Sequence, residues 1–177
     1  MTRSPLIIVT LALSLLLAGC GNRSIGNKID DQFTAPKVRE QITLAHADLN
    51  DTTSHIVIAS YNGVVLLAGQ TPQAELKELA EKAAKSVRGV QKVHNELQVM
   101  APSSTLARSN DVLLTTKIKA QMLTDNGIPG SRIKVITENG VVYLLGLVTR
   151  QEGQRAANLV QGVSGVQKII KLFQYTD

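Results

Sequence analysis

The octapeptide NGVVLLAG at residues 62–69 returns as NGVVYLLG at residues 139–146, with two changes. The similarity reaches back to Ile56 and Ile133 at a constant offset of 77 residues. The chain has 177 residues, so the two copies together occupy most of it. A repeat of this extent indicates that one small fold has been duplicated.

The repeated phrase opens with Asn-Gly between two β-rich runs, which predicts a two-residue hairpin loop. Asn62-Gly63 and Asn139-Gly140 are therefore assigned a structural role, because a type I′ turn needs positive φ at both positions. The loop fixes the register, and residues directly opposite one another share a sheet face. The predicted pairs on the buried face are Ser60 with Val65, Ile58 with Leu67, Ile56 with Gly69, Thr137 with Val142, Val135 with Leu144, and Ile133 with Gly146.

The opposite sheet face carries Lys134, Glu138 and Tyr143 in the second copy, so we expect it to be the wetter one. Gly69 and Gly146 fall on the buried face. There a missing Cβ lets a helix cross close to the strand, and we expect this packing role for both glycines.

Apolar residues at helical spacing precede and follow each hairpin. The helix ahead of the first hairpin carries Val38, Ile42, Ala45 and Leu49, and its counterpart carries Leu114, Ile118 and Met122. After the second helix, VRGVQKV at residues 87–93 corresponds to VSGVQKI at residues 163–169 and leads into a third strand. The sequence thus predicts an α+β fold made twice, each copy with helices packed on one face of a three-stranded mixed sheet.

The N-terminus reads as a secretory signal peptide at residues 1–19, because Arg3 precedes a short apolar run. The run ends in LAGC, which resembles the lipobox of bacterial lipoproteins and identifies Cys20 as the lipidation site. Multiple acyl chains make membrane attachment effectively permanent. By resemblance to the sorting rule of enterobacterial lipoproteins, Gly21 after the cysteine favours the periplasmic face of the outer membrane.

Polar stretches divide the rest of the chain. We expect a flexible tether at residues 20–36, a first domain at 37–100, a linker at 101–110 and a second domain at 111–177. Each domain has about 65 residues, which is close to the lower limit for a chain that folds on its own core.

The order helix, hairpin, helix, strand resembles the BON domain. Two copies behind a lipobox resemble the dual-BON outer-membrane lipoprotein family of Gram-negative bacteria, the DolP/YraP type. The quoted repeats carry this resemblance, together with SNDVLLTTKIKAQMLT at residues 109–124. It implies binding of anionic phospholipid, especially phosphatidylglycerol, through the leading helix of the second domain. It also implies support of outer-membrane integrity, accumulation at division sites, and links to a murein amidase activator and to the outer-membrane protein assembly machinery.

The two copies differ most in charge and in their leading helices. Residues 20–100 hold nine Lys/Arg and nine Asp/Glu, whereas residues 101–177 hold nine and five, a net charge of +4. In the second leading helix Val112 and Leu113 point away from the predicted core, with Lys117 one turn beyond Leu113. Exposed aliphatic residues beside lysines suit a helix that binds an anionic membrane surface.

The predicted lipid-binding residues are Val112, Leu113, Thr116, Lys117 and Ala120. Two alternatives stay open: Val112 and Leu113 could instead pack on the first domain, or the protein could be an envelope interaction scaffold that reads no lipid. Members of the family can carry Trp at the position of Leu113, and this chain has no Trp, so we expect weaker insertion.

Other functions find little support in the sequence. His46, His55 and His94 are isolated, so no metal site is predicted. No nucleophile elbow, P-loop or dinucleotide fingerprint occurs, and we expect neither a catalytic residue nor a cofactor. An isoelectric point near 9.5 would suit nucleic acid, but five aromatic residues and no basic cluster argue against it.

Overall fold

A computed structural model of the protein describes the backbone of residues 25–177 and the side chains from residue 32 onward. The predicted signal peptide, Cys20 and the start of the tether lie outside the described residues.

Each copy of the repeat forms a helix, a hairpin, a second helix and a third strand. The first copy comprises α1 (Ile25–Ala45), β1 (His55–Tyr61), β2 (Val64–Thr71), α2 (Ala74–Ser86) and β3 (Lys92–Val99). The second comprises α3 (Thr105–Thr124), β4 (Ile133–Glu138), β5 (Val141–Val148), α4 (Arg150–Gln161) and β6 (Lys168–Tyr175). Short 3₁₀ helices at Ala47–Leu49 and Gly130–Arg132 follow the two leading helices.

Both sheets are mixed, with the second hairpin strand in the centre. β2 pairs antiparallel with β1 and parallel with β3, and β5 does the same with β4 and β6. The predicted register is confirmed, since Ile58 lies opposite Leu67 and Val135 opposite Leu144. The loop residues have positive φ as predicted: 50° and 76° at Asn62 and Gly63, and 49° and 74° at Asn139 and Gly140.

One face of each sheet packs against its own two helices. Val38 and Ile42 of α1 meet Val65 and Leu67 of the first sheet in one buried cluster. Ile118 and Met122 of α3 similarly belong to the cluster that contains Val142 and Leu144. The predicted α+β class, with helices on one face of a three-stranded mixed sheet, is confirmed.

The expectation that the other sheet face is wet is wrong, because the two sheets pack on each other through it. Tyr143, Glu138 and Leu145 are buried there, whereas Lys134 is exposed. This interdomain core consists of Ala59, Tyr61, Val64, Leu66, Ala68, Val141, Tyr143, Leu145 and Leu172. Burial in this core raises the pKa of Tyr143 to about 12, and the nearby Glu96 and Glu138 carboxylates add to the effect.

Glu138 is buried at the same interface, with only 5% of its surface exposed, because the first domain and the linker supply its partners. Its Oε1 accepts hydrogen bonds from Gln70 Nε2 at 2.9 Å and from Ser103 Oγ at 3.2 Å. Its Oε2 lies 3.2 Å from His55 Nε2. A buried carboxylate is tolerated when it is fully hydrogen-bonded in this way, so Glu138 ties the two domains together.

The two glycines of the repeated phrase were predicted to let a helix approach the strand, but the atoms nearest to them belong to the neighbouring strand and the residue before it. A Cβ on Gly69 would lie 2.0 Å from the carbonyl oxygen of His55, and one on Gly146 would lie 2.9 Å from that of Arg132. Gly69 also has φ of +113°, a conformation that other residues rarely adopt.

Both predicted polar joints are shorter than expected. Residues 25–36 belong to α1, with Pro36 inside the helix, and residues 105–110 belong to α3. The free-energy cost of extending a helix is much smaller than that of starting one. The turns at Val38 and Leu114 are held by packing, so the polar residues before them can also adopt helical conformation.

We predict that Leu66→Ala destabilises both domains together. Leu66 is fully buried between the sheets, and truncation of such a leucine typically costs about 3 kcal/mol. Native-state hydrogen exchange, followed by NMR, should show lower protection in both sheets. Leu44→Ala, at an exposed site on α1, should change stability by less than about 0.5 kcal/mol. Loss of protection confined to the first sheet would contradict the shared core.

Candidate lipid-binding surface

The leading helix of the second domain, α3, is long and firmly held on one side. Its 20 residues span about 30 Å at 1.5 Å per residue. Ser104 caps its start, with Oγ accepting the Ala107 N–H at 3.2 Å. Leu114, Ile118 and Met122 face the domain core. The helix therefore has one buried face and one face turned to solvent.

The solvent face of α3 carries four large aliphatic side chains, here called the apolar ridge. Their exposed fractions are 71% for Leu106, 65% for Val112, 69% for Leu113 and 66% for Leu123. At 100° per residue the four lie within about 120° of arc, and they extend over roughly 25 Å of the helix. Ser109, Thr116 and Ala120 lie among them in the same arc, so the apolar ridge is a row of exposed aliphatic side chains with small residues between them. Exposed apolar side chains grouped on one face are typical of an interaction site.

The alternative in which Val112 and Leu113 pack on the first domain is wrong, because both side chains are exposed. The domains dock through their sheets, which leaves both side chains about two-thirds exposed.

The remaining predicted residues lie on or beside the apolar ridge. Thr116 and Ala120 are exposed within its arc, and the Thr116 hydroxyl donates to the Val112 carbonyl at 2.8 Å. Lys117 borders the apolar ridge on one side and Lys119 on the other, by the 100° spacing, and both are exposed. The structure thus brings all five predicted residues onto one helix face with a cation at each edge.

Sequence reasoning missed Leu106 and Leu123. Leu106 was assigned to the polar linker, because Ser and Pro around it hid the helix start. Leu123 continues the series Thr116, Ala120, Leu123 at spacings of four and three, and this period could have revealed it.

The leading helix of the first domain has no comparable surface among its described side chains. Phe33 and Leu44 are exposed at 57% and 73%, but they stand 11 residues apart. On the same side of α1 between them lie Lys37, Glu40 and Gln41, all exposed.

Asp111 anchors the opposite side of α3 to the hairpin loop. It is buried, and its two carboxylate oxygens accept the Asn139 N–H at 2.7 Å and the Gly140 N–H at 2.9 Å. These bonds satisfy loop amides that the β-ladder leaves free, and they set the position of the helix turn that carries Val112 and Leu113.

The described part of the chain offers neither a metal site nor a membrane span. No three His, Cys, Asp or Glu side chains among residues 32–177 are grouped so as to hold a metal ion. No helix within residues 25–177 is long and apolar enough to cross a membrane.

We predict that the apolar ridge contributes nothing to the stability of the fold. The double substitution Leu106→Ser and Leu123→Ser should change the free energy of unfolding in urea by less than about 1 kcal/mol, because neither side chain is packed. Ile118→Ala on the buried face of the same helix should cost about 3 kcal/mol. A loss of similar size in the double variant would show that these leucines pack within the protein.

The chain is similar to known proteins over both copies of its repeat. The BON domain model matches residues 30–101 and 110–177. The chain is 36% identical to "Outer membrane lipoprotein DolP" of Haemophilus influenzae, and the match covers all of both proteins. It is 33% identical to "21 kDa hemolysin" of Actinobacillus pleuropneumoniae, over 86% of this chain and 78% of that one.

A more distant relative is "Osmotically-inducible protein Y" of Escherichia coli, 32% identical over 82% of this chain and 72% of that one. The full-length match and the two BON matches agree with the duplicated fold described above. The chain therefore belongs to the BON-domain family, as a dual-BON outer-membrane lipoprotein of the DolP type.

Proposed function

We propose that the protein binds anionic phospholipid, phosphatidylglycerol in particular, through the apolar ridge and its flanking lysines. In this role it supports outer-membrane integrity, with division sites as the place of action. The proposal rests on the row of four exposed aliphatic side chains on α3, which has Lys117 at one edge of the helix face and Lys119 at the other.

The chemistry of this surface suits the boundary between lipid headgroups and acyl chains. Each aliphatic side chain of the apolar ridge would gain up to about 2 kcal/mol on leaving water. Each flanking lysine adds about 1 kcal/mol near an anionic surface, so the pair favours anionic over neutral lipid by about 30-fold.

The sheet-to-sheet packing supports the same proposal. The face of each sheet that its helices leave uncovered packs against the other sheet. No α3 residue belongs to this interdomain core. The acylated Cys20 would supply permanent attachment, and α3 would then sample the surrounding lipid. The absence of Trp leaves insertion to leucine and valine alone, which favours shallow and reversible contact.

An envelope scaffold is the second candidate function. Its partners would be the outer-membrane protein assembly machinery or a murein amidase activator. Leu44 of α1 borders a surface groove with Leu79 and Ala83 of α2, which offers an apolar contact on the first domain.

Vesicle binding by the chain that starts at Gly21 tests the lipid proposal. The buried residues of all three cores lie between Val38 and Leu172, so this form keeps its fold. Sedimentation with phosphatidylglycerol vesicles should exceed that with neutral vesicles and should weaken with added salt, because the lysine contribution is screened. Leu113→Asp and Lys117→Glu should each reduce binding by about tenfold or more, which corresponds to about 1.4 kcal/mol.

Matched substitutions on the first domain provide the control. Leu44→Asp and Lys82→Glu make the same chemical changes at exposed sites and should leave vesicle binding unchanged. Absence of binding in the parent, or equal binding by parent and both α3 variants, would contradict the lipid proposal and leave the scaffold.

A further inference from the structure

A surface groove of about 450 Å³ lies directly beside the apolar ridge. It is formed by α3, the β4–β5 loop and the turn between α4 and β6. Its lining residues include Asn110, Asp111, Leu113, Lys117, Ser164 and Gln167. Leu113 and Lys117 belong both to this groove and to the helix face described above, so the two surfaces are continuous.

The groove has a positive charge at Lys117 and a negative charge at Asp111. Lys117 is exposed and provides a cation. Asp111 is buried and holds its carboxylate against the Asn139 and Gly140 amides. A phosphate is therefore attracted to Lys117 and repelled from Asp111, whereas hydroxyl groups are compatible with the Asp111 side. The exposed side chains of Asn110, Ser164 and Gln167 add neutral donors and acceptors for hydroxyls.

The first domain lacks this set of residues. Aligning Val38 and Ile42 with Leu114 and Ile118 places Ala35, Lys37 and Gln41 opposite Asp111, Leu113 and Lys117. In the helix-to-strand turn, Arg88 stands where the second copy has Ser164. Gln167 is shared, since Gln91 holds the same place in the first copy, so the groove of the second copy differs at Asp111, Leu113, Lys117 and Ser164.

We propose that this groove selects the headgroup of the bound lipid and that its occupant is the glycerol headgroup of a membrane phosphatidylglycerol. The lipid phosphate lies at Lys117, the headgroup hydroxyls lie among Asn110, Ser164 and Gln167, and the acyl chains leave along the apolar ridge. This inference rests on the proposed lipid-binding function, and it assigns part of the choice among anionic lipids to Ser164 and Gln167, which lie outside α3.

Phosphatidic acid provides the decisive comparison, because it carries an anionic phosphate at the same place on the lipid, as a monoester with no headgroup glycerol. It is at least as negative as phosphatidylglycerol, so attraction by charge alone would favour it. The full folded chain starting at Gly21 should instead bind phosphatidylglycerol vesicles about fivefold more tightly at equal mole fraction of anionic lipid, as expected for one net hydrogen bond.

Ser164→Ala combined with Gln167→Ala should abolish this preference and leave binding to phosphatidic acid unchanged. Gln167 packs against Gly140, so Ser164→Ala alone serves as a milder variant, which should lower the preference in part. Urea unfolding of both variants establishes that they are folded.

The outcomes separate the two proposals. If the parent binds neither anionic lipid, the proposed lipid function itself fails. If the parent binds both lipids equally or prefers phosphatidic acid, lipid binding stands and selection by the groove is overturned. Equal losses for both lipids in the folded double variant would also overturn it.

Discussion

The face-to-face packing of the two sheets is the interaction on which the rest of the structure depends. Two domains of this size each have a small core, and the third cluster between them adds buried leucine, valine and tyrosine side chains that neither domain could bury alone. It also gives Glu138 its hydrogen-bond partners from Gln70, Ser103 and His55. The duplicated phrase thus forms two hairpins, and the faces that their helices leave uncovered pack against each other.

This packing decides which surfaces remain available for function. Each sheet has helices on one face and the other sheet on the second, so outward-facing helix sides make up much of the accessible surface. On α1 that side is interrupted by charged residues. On α3 the outward side carries the apolar ridge, with Lys117 at one edge and Lys119 at the other. The copies share a scaffold, and their difference lies on the helix face that the scaffold does not use.

Local patterns were enough to predict most of the fold. Asn-Gly fixed the hairpin register, and the spacing of Leu114, Ile118 and Met122 separated the buried from the exposed side of α3. The burial of Glu138 could not be predicted, because its partners lie 35 to 83 residues away in sequence and a glutamate in a strand normally indicates solvent. The groove could not be predicted for the same reason, because Asn110 and Gln167 are far apart in sequence and line one groove only in the folded protein. The five predicted lipid-binding residues lie on one exposed face of α3, and their contact with lipid stays a prediction. Leu106 was not predicted, because polar residues surround it in the sequence.

If α3, and not α1, enters the lipid surface, a fluorescent label at one position on each helix distinguishes the two. The chain starting at Gly21 contains no cysteine, so Leu113→Cys and Leu44→Cys each give a unique site for a polarity-sensitive fluorophore. With phosphatidylglycerol vesicles, the label at position 113 should shift its emission to the blue as it leaves water, while the label at position 44 should not change. A shift at position 44 with none at position 113, in protein that is bound to the vesicles, would show that α1 and not α3 enters the lipid.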